Sequence, residues 1–246
     1  MYSHCLKGGW ILGHTHDGTQ AEYVRIPLAD SGLHHVPEGV DEKSLVMLSD
    51  ILPTGLECGV LNGKVQPGST VAIVGGGPVG LAALMTSRLY SPSLIVMIDK
   101  DPNRLQVAKK LGANHTVNSA ESSAEEAVMS LTNNTGCDTV IEAVGVPATL
   151  EMAQDLVAPG GTIANIGVHG KSCTLKIEKL WGHNISLTTR LVDTVTTPML
   201  LKLFAAGSIQ PGQLITHTFP FREMEAAYTT FKAAADHKAL KMLITM

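Results

Sequence analysis

One stretch, "TVAIVGGGPVGLAAL" (residues 70–84), constrains what this chain can fold into more than any other. A short β-branched apolar run passes through three glycines and a proline into a second, Ala/Leu-rich run. The first run has the character of a fully buried strand and the second that of a helix. Joining them directly sets demands on the backbone. Gly75 allows the tight turn, Gly77 lets another molecule approach the main chain, and Gly80 lets the helix lie close against the strand. Pro78 and Val79 open the helix. Three glycines at this spacing mean little in a chain that contains 24 of them. Between a strand and a helix they mean much more.

The same alternation continues downstream. Runs at 70–74, 94–99, 138–144 and 161–168 read as buried parallel strands, and segments 79–90, 102–111, 122–132 and 147–157 read as helices. The second helix has a clear entry and exit in "DPNRLQVAKKLG": Asp101 as cap, Pro102 in the first turn, Gly112 as stop. This pattern predicts an α/β protein with a doubly wound parallel sheet. Residues 1–46 are rich in Gly, His and Pro, with strand-like pieces such as "AEYVRIP"; helical spacing starts in "SDILPTGLECGVLNG". Residues 197–246 predict two helices and a final strand, "ALKMLITM". Three regions follow: 1–50, 51–195 and 196–246.

Composition narrows the function classes. A net charge of −4 gives no electrostatic reason to expect nucleic acid, and no apolar run approaches a membrane span. The four cysteines never form C-x-x-C and read as reduced thiols, which favours a cytoplasmic protein.

The glycine turn implies a phosphate-bearing ligand, because the N-terminus of the helix presents free N–H groups and a partial positive charge. Asp99 follows Gly80 by 19 residues and ends the next buried strand, "LIVMID". A carboxylate at that place accepts the hydroxyls of an adenosine ribose and repels a 2′-phosphate, so NAD is expected over NADP. Lys100, its neighbour, softens that discrimination.

Together "GGW.LG...DGTQAEYVR.P.AD", "LSDILPTG", "VAIVGGGPVGLAAL", "EAVG.PAT", "APGG.IAN.GVHG", "EKLW..NI...TRLVDT.T.PMLLK" and "LITHTF" resemble the zinc-dependent medium-chain alcohol dehydrogenases, most nearly the bacterial secondary-alcohol type. The resemblance implies a Rossmann domain at 51–195, part of a GroES-like catalytic domain at 1–50 and a return to that domain at 196–246. It implies hydride transfer between NAD and a small alcohol, ketone or aldehyde. It also implies a homo-oligomer, dimer or tetramer, formed through the strand near "NISLTTR". By the same resemblance Thr54 lies beside the nicotinamide. Val144 and Gly145 end a strand near the cofactor, and Ile166, Gly167 and Val168 hold the carboxamide. Arg190 and Leu191 flank the nicotinamide, and Lys241 reaches the pyrophosphate.

The metal positions depart from the family. The resemblance makes Asp50 a catalytic-zinc ligand and Cys5 the last ligand of a structural zinc, but the family's other ligands have no counterpart in this sequence. A structural zinc takes four ligands and a catalytic zinc three plus an open position, so a truncated chain with incomplete zinc sites is expected. On the bland reading Asp50 caps the following helix. His14 and His16, with Asp17, are a weaker metal candidate, and His34 and His35 weaker still, since neighbours on an extended chain face opposite ways. Two further readings stand beside the dehydrogenase: an NAD-binding module without activity, and a zinc-free quinone-reductase-like protein, against which Asp50 and Cys5 argue.

Overall fold

The computed structural model describes all 246 residues. Its centre is a six-stranded, wholly parallel sheet formed by β1 (Thr70–Val74), β2 (Leu94–Asp99), β3 (His115–Asn118), β4 (Cys137–Glu142), β5 (Val157–Asn165) and β6 (Ser186–Thr189). The spatial order is β3-β2-β1-β4-β5-β6, that of two mononucleotide-binding halves meeting between β1 and β4. β1 runs in register with β2 from Thr70 opposite Leu94 to Val74 opposite Ile98, and with β4 from Val71 opposite Thr139 to Val74 opposite Glu142.

The helices form where their local sequence dictates. Pro78, Pro102 and Pro147 each stand in a first turn, where the missing N–H costs nothing. Asp101 caps its helix by accepting from Asn103 N at 2.8 Å. Ser123 caps the next by accepting from Glu126 N at 3.2 Å, with Glu126 at the capping-box position.

Both faces of the sheet are covered. On one side Ile73, Met97 and Ile141 pack against Leu52, Leu56, Leu81 and Leu84. On the other Val74, Ile98 and Val140 meet Val128, Leu150 and Leu156. Each such side chain, fully buried, contributes about 1.5–3 kcal/mol relative to exposure. The segment "SDILPTGLECGVLNG" is helical, as its spacing predicts, and most of it is a π-helix, Thr54–Leu61, packed on the helix Pro78–Ser87.

Several expectations differ from the structure. "AEYVRIP" forms no strand, and residues 1–46 contain only short helical turns and an isolated bridge between Leu12 and His16. β5 begins at Val157, directly after the helix Pro147–Leu156, not at 161. The polar β3 ("HTVN") and β6 ("SLTT") lack the apolar run that marks a buried strand, because they lie at or toward the sheet edges. A second sheet pairs β7 (Ile215–Pro220) with β8 (Lys241–Thr245) in parallel, and only β8 is legible as a strand. No single helix is long and apolar enough to cross a membrane.

Candidate functional site

The turn after β1 has the geometry its glycines require. Gly75 has φ +104°, a region that side chains disfavour. A Cβ on Gly80 would collide with the Gly75 carbonyl oxygen. The outer side of Gly77 is open, its nearest neighbour being an Arg104 guanidinium nitrogen 3.9 Å from where a Cβ would stand. No side chain caps the helix that begins at Pro78, so its N-terminal donors are available to an anion.

Asp99 closes one end of the turn. Its Oδ2 accepts from Gly76 N at 2.5 Å and its Oδ1 from Asp101 N at 2.8 Å. A carboxylate has about four lone-pair sites, so two remain for a ligand. The Arg104 guanidinium lies 3.8 Å from Asp99 Oδ2. Sequence reading missed Arg104; the only signal was a cation one helical turn beyond Asp99.

Two cavities meet at the carboxyl ends of β1 and β4. The first, about 910 Å³, is lined by Gly75, Gly77, Asp99, Lys100, Arg104 and Val144 among others. The second, about 720 Å³, is lined by Asp50, Thr54, Val79, Ile166, Gly167, Val168, Arg190 and Leu191 among others. Ala143 and Val144 line both, so they are two parts of one groove. It lies at the point where strand order reverses, the place where open α/β sheets bind ligands. Pro78, Gly80 and Gly145 line neither part.

Glu142, also missed from sequence, shapes the junction. It is wholly buried, and its Oε1 accepts from Val144 N at 3.0 Å, Gly145 N at 2.9 Å and Thr149 Oγ1 at 2.7 Å. That holds the β4 turn between the two cavities. On the far wall Arg190 pairs with Asp193 at 3.0 Å. Asp193 also accepts from the hydroxyl of Ser3 at 2.6 Å and its backbone N–H at 2.9 Å, which hold its carboxyl down at about 2.

Lys241 stands apart from this groove. It lies in β8 and lines a separate hollow with Gln20, Met224, Tyr228 and Phe231, where burial lowers its pKa and the more distant Asp50 partly offsets the effect. The residues of the C-terminal region that reach the groove are Ala235 and Asp236.

The metal candidates do not assemble. Asp50 stands at the entry of the helix Ile51–Pro53 but makes no capping bond; its Oδ1 accepts from Thr54 Oγ1 at 3.1 Å. Cys5 is exposed in another hollow, its thiol held below the usual range by the backbone N–H groups of Lys7 and Gly8. His14 stacks on Trp10 at 5.2 Å between ring centroids, and His34 and His35 are exposed. No three His, Cys, Asp or Glu side chains converge closely enough to hold a metal ion. The residues of this chain therefore do not by themselves fit a zinc site, whereas the groove fits a dinucleotide.

Comparison with known proteins agrees with this geometry. Residues 78–206 match the family described as zinc-binding dehydrogenase. An alcohol dehydrogenase of Cupriavidus necator is 34% identical over 232 residues, covering 93% of this chain and 63% of that protein. The NADP-dependent isopropanol dehydrogenase of Thermoanaerobacter brockii is 30% identical over 239 residues, covering 94% of this chain and 68% of that protein. Among solved structures, zinc dependent alcohol dehydrogenase 2 from Streptococcus pneumonia, in its apo form, superposes with a TM-score of 0.94 at 49% identity, covering 100% of this chain and 70% of that one. The chain thus spans about three fifths of the Cupriavidus relative's length. Sheet order, glycine turn and these likenesses agree: the chain belongs to the zinc-type medium-chain alcohol dehydrogenase family.

Proposed function

We propose that this chain binds NAD in the groove across β1 and β4 and belongs to an oxidoreductase that moves hydride between the nicotinamide and a small alcohol, ketone or aldehyde. The observation that carries the reading is Asp99 at the end of β2, hydrogen-bonded to the glycine turn beside an open cavity. In this reading the adenosine lies in the cavity of Asp99 and the pyrophosphate on the N-terminus of the helix Pro78–Ser87. The nicotinamide lies in the cavity of Thr54, Val168 and Arg190.

A 2′-phosphate in the same pose meets the Asp99 carboxylate, which favours NAD. Arg104 offsets part of that repulsion, and a relative at 30% identity is described as NADP-dependent. Titration of NADH and NADPH tests the preference. NADH binds the unsubstituted chain more tightly, and Asp99→Ala weakens NADH by roughly 10- to 100-fold, since each hydrogen bond to a charged acceptor is worth about 1.5–3 kcal/mol and 1.4 kcal/mol is tenfold. NADPH binding that equals NADH in the unsubstituted chain refutes it.

A second reading, a dinucleotide-binding chain without turnover, is supported by the lack of any three His, Cys, Asp or Glu side chains that converge around Asp50 to hold a metal ion. Following NADH formation from 2-propanol, with and without added zinc, separates the two. Turnover on an ordinary enzyme scale, about 1 s⁻¹ or more, and abolished by a chelator supports the dehydrogenase. NADH binding without turnover supports the second reading. The same proposal holds that the chain is cytoplasmic and self-associates through β6, which pairs only with β5 and leaves one edge free. A monomer by light scattering at micromolar concentration contradicts that association.

A further inference from the structure

The loop after β5 forms one wall of the groove and carries a group of side chains that cofactor binding does not use. Cys173 Sγ lies 3.0 Å from His169 Nδ1. The other ring nitrogen, Nε2, lies 2.8 Å from Asn165 Oδ1 and 3.3 Å from Glu142 Oε2.

These contacts fix where the imidazole proton sits. Asn165 Nδ2 lies 3.1 Å from the carbonyl oxygen of Gly167 and donates to it. A carbonyl only accepts, so the amide oxygen of Asn165 must face the ring. Nε2 then looks at two oxygen acceptors and must carry the hydrogen. Nδ1 is left with its lone pair aimed at the sulfur, the tautomer a general base needs.

Glu142 completes the group. Its Oε2 is buried and makes no hydrogen bond, although Oε1 has three donors. A buried carboxylate oxygen without a donor is costly. His169 Nε2 lies 3.3 Å from it, so the carboxylate orients the ring whose Nδ1 faces the thiol. The arrangement is a thiol, a base and an orienting carboxylate in sequence.

The other cysteines differ. Cys58 and Cys137 are buried, and burial pushes their thiols up to about 12. Cys5 is exposed, but backbone N–H groups rather than a base face its sulfur. Cys173 alone joins partial exposure to a paired imidazole.

We propose that Cys173 is a modification site for low-molecular-weight disulfides such as oxidised glutathione, with His169 as its base. The thiol proton passes to His169 Nδ1, and the thiolate attacks one sulfur of the disulfide. A new Cys173–sulfur bond forms as the disulfide bond breaks. The departing thiolate takes a proton, so one mixed disulfide and one free thiol result. The adduct removes the partner of His169 Nδ1 and puts bulk behind Asn165 and Gly167, which line the second cavity. Resting on the proposed cofactor site, the adduct also weakens nicotinamide binding.

The test uses the full chain with Cys5→Ser, treated with oxidised glutathione and mapped by peptide mass spectrometry over time. The adduct forms on Cys173, at least roughly tenfold faster than on the same chain unfolded in urea, since a positioned base contributes about 10²–10⁴. His169→Gln removes that advantage. Asn165→Leu, which keeps His169 but releases its tautomer, slows the reaction severalfold. An unchanged rate in both variants, or a folded chain no faster than the unfolded one, overturns the proposal. NADH titration of the adduct separates the two readings. Severalfold weaker binding supports the coupling, and unchanged binding overturns it. A chain that forms the adduct but never binds NADH refutes the cofactor reading and leaves the thiol chemistry supported.

Discussion

Replacing Glu57 should loosen the groove from behind. Glu57 is 1% exposed within the π-helix Thr54–Leu61. Its Oε1 accepts from Thr196 N at 2.8 Å and Thr196 Oγ1 at 2.9 Å, and its Oε2 from Asp193 N at 3.0 Å. One carboxylate thus ties the helix below Thr54 to the loop that carries Arg190 and Leu191. Glu57→Gln keeps the shape, and its amide oxygen can keep the Thr196 pair. Its NH₂ group then faces the Asp193 N–H, donor against donor, so a buried donor loses its partner at a cost of about 1–3 kcal/mol. Glu57→Ala strands two backbone N–H groups and a hydroxyl, each at a cost of about 1–3 kcal/mol where it stays buried without a partner. Against a total stability of about 5–15 kcal/mol the alanine variant is marginal. Urea unfolding followed by circular dichroism gives the midpoints, and thermal melting should fall by about 2–4 °C per kcal/mol for a chain of this size. NADH affinity should fall with stability in the glutamine variant, because the Arg190 loop is what it releases. If Glu57→Gln is as stable as the native chain to within about 0.5 kcal/mol, the bonds to Asp193 and Thr196 do not hold the loop, and the reasoning fails.

Asp193, whose carboxyl is held at about 2 against an ordinary value of 3.8, should add acid-sensitive stability. Its folded pKa is the lower one, so the contribution is present above about pH 4 and lost as pH falls towards about 2, to an extent of about 1–2 kcal/mol; Asp193→Asn should flatten that part of a stability–pH profile, and an unchanged slope refutes it. Iodoacetamide at neutral pH should label Cys5 and Cys173 but spare Cys58 and Cys137, whose burial raises their thiols to about 12; rapid labelling of Cys137 in the folded chain would show that β4 is not the buried strand described. Gly80→Ala should abolish or greatly weaken NADH binding and lower the melting temperature, because its Cβ meets the Gly75 carbonyl; unaltered binding would mean the turn is not rigid.

The parts of the fold legible in the sequence are those in which a strand is buried on both faces. "TVAIV" and "LIVMID" admit little but Val, Ile and Met because helices cover them on both sides. The glycine turn is legible for a different reason: φ +104° at Gly75 and the carbonyl against Gly80 are backbone constraints, and only glycine meets them. "HTVN", "SLTT" and "ITHTFP" carry no such mark. They stand at or toward sheet edges or in the small second sheet, where tertiary pairing rather than burial makes them strands.

Side chains that act through distant partners are the least legible. Lys241 reads as a phosphate ligand by position in a motif, yet its place is set by the β7–β8 pairing, which turns it to another hollow. Arg104, Glu57, Glu142 and His169 carry no motif that marks them as site residues: Glu57 meets partners 136 and 139 residues further along the chain, and the other three meet near neighbours that only the folded turns at the strand ends bring to them. Two of them nonetheless leave a signal in hindsight. "TVIE" and "GLECGV" each contain a single acid within a buried run. A carboxylate does not remain in such a place unless several donors converge on it. The structure supplies three to Glu142 Oε1 and three to Glu57, from the turn beside the groove in one case and the loop behind it in the other. A lone acid inside a buried run therefore marks a loop that must be held still, and both such loops in this chain are walls of the same groove.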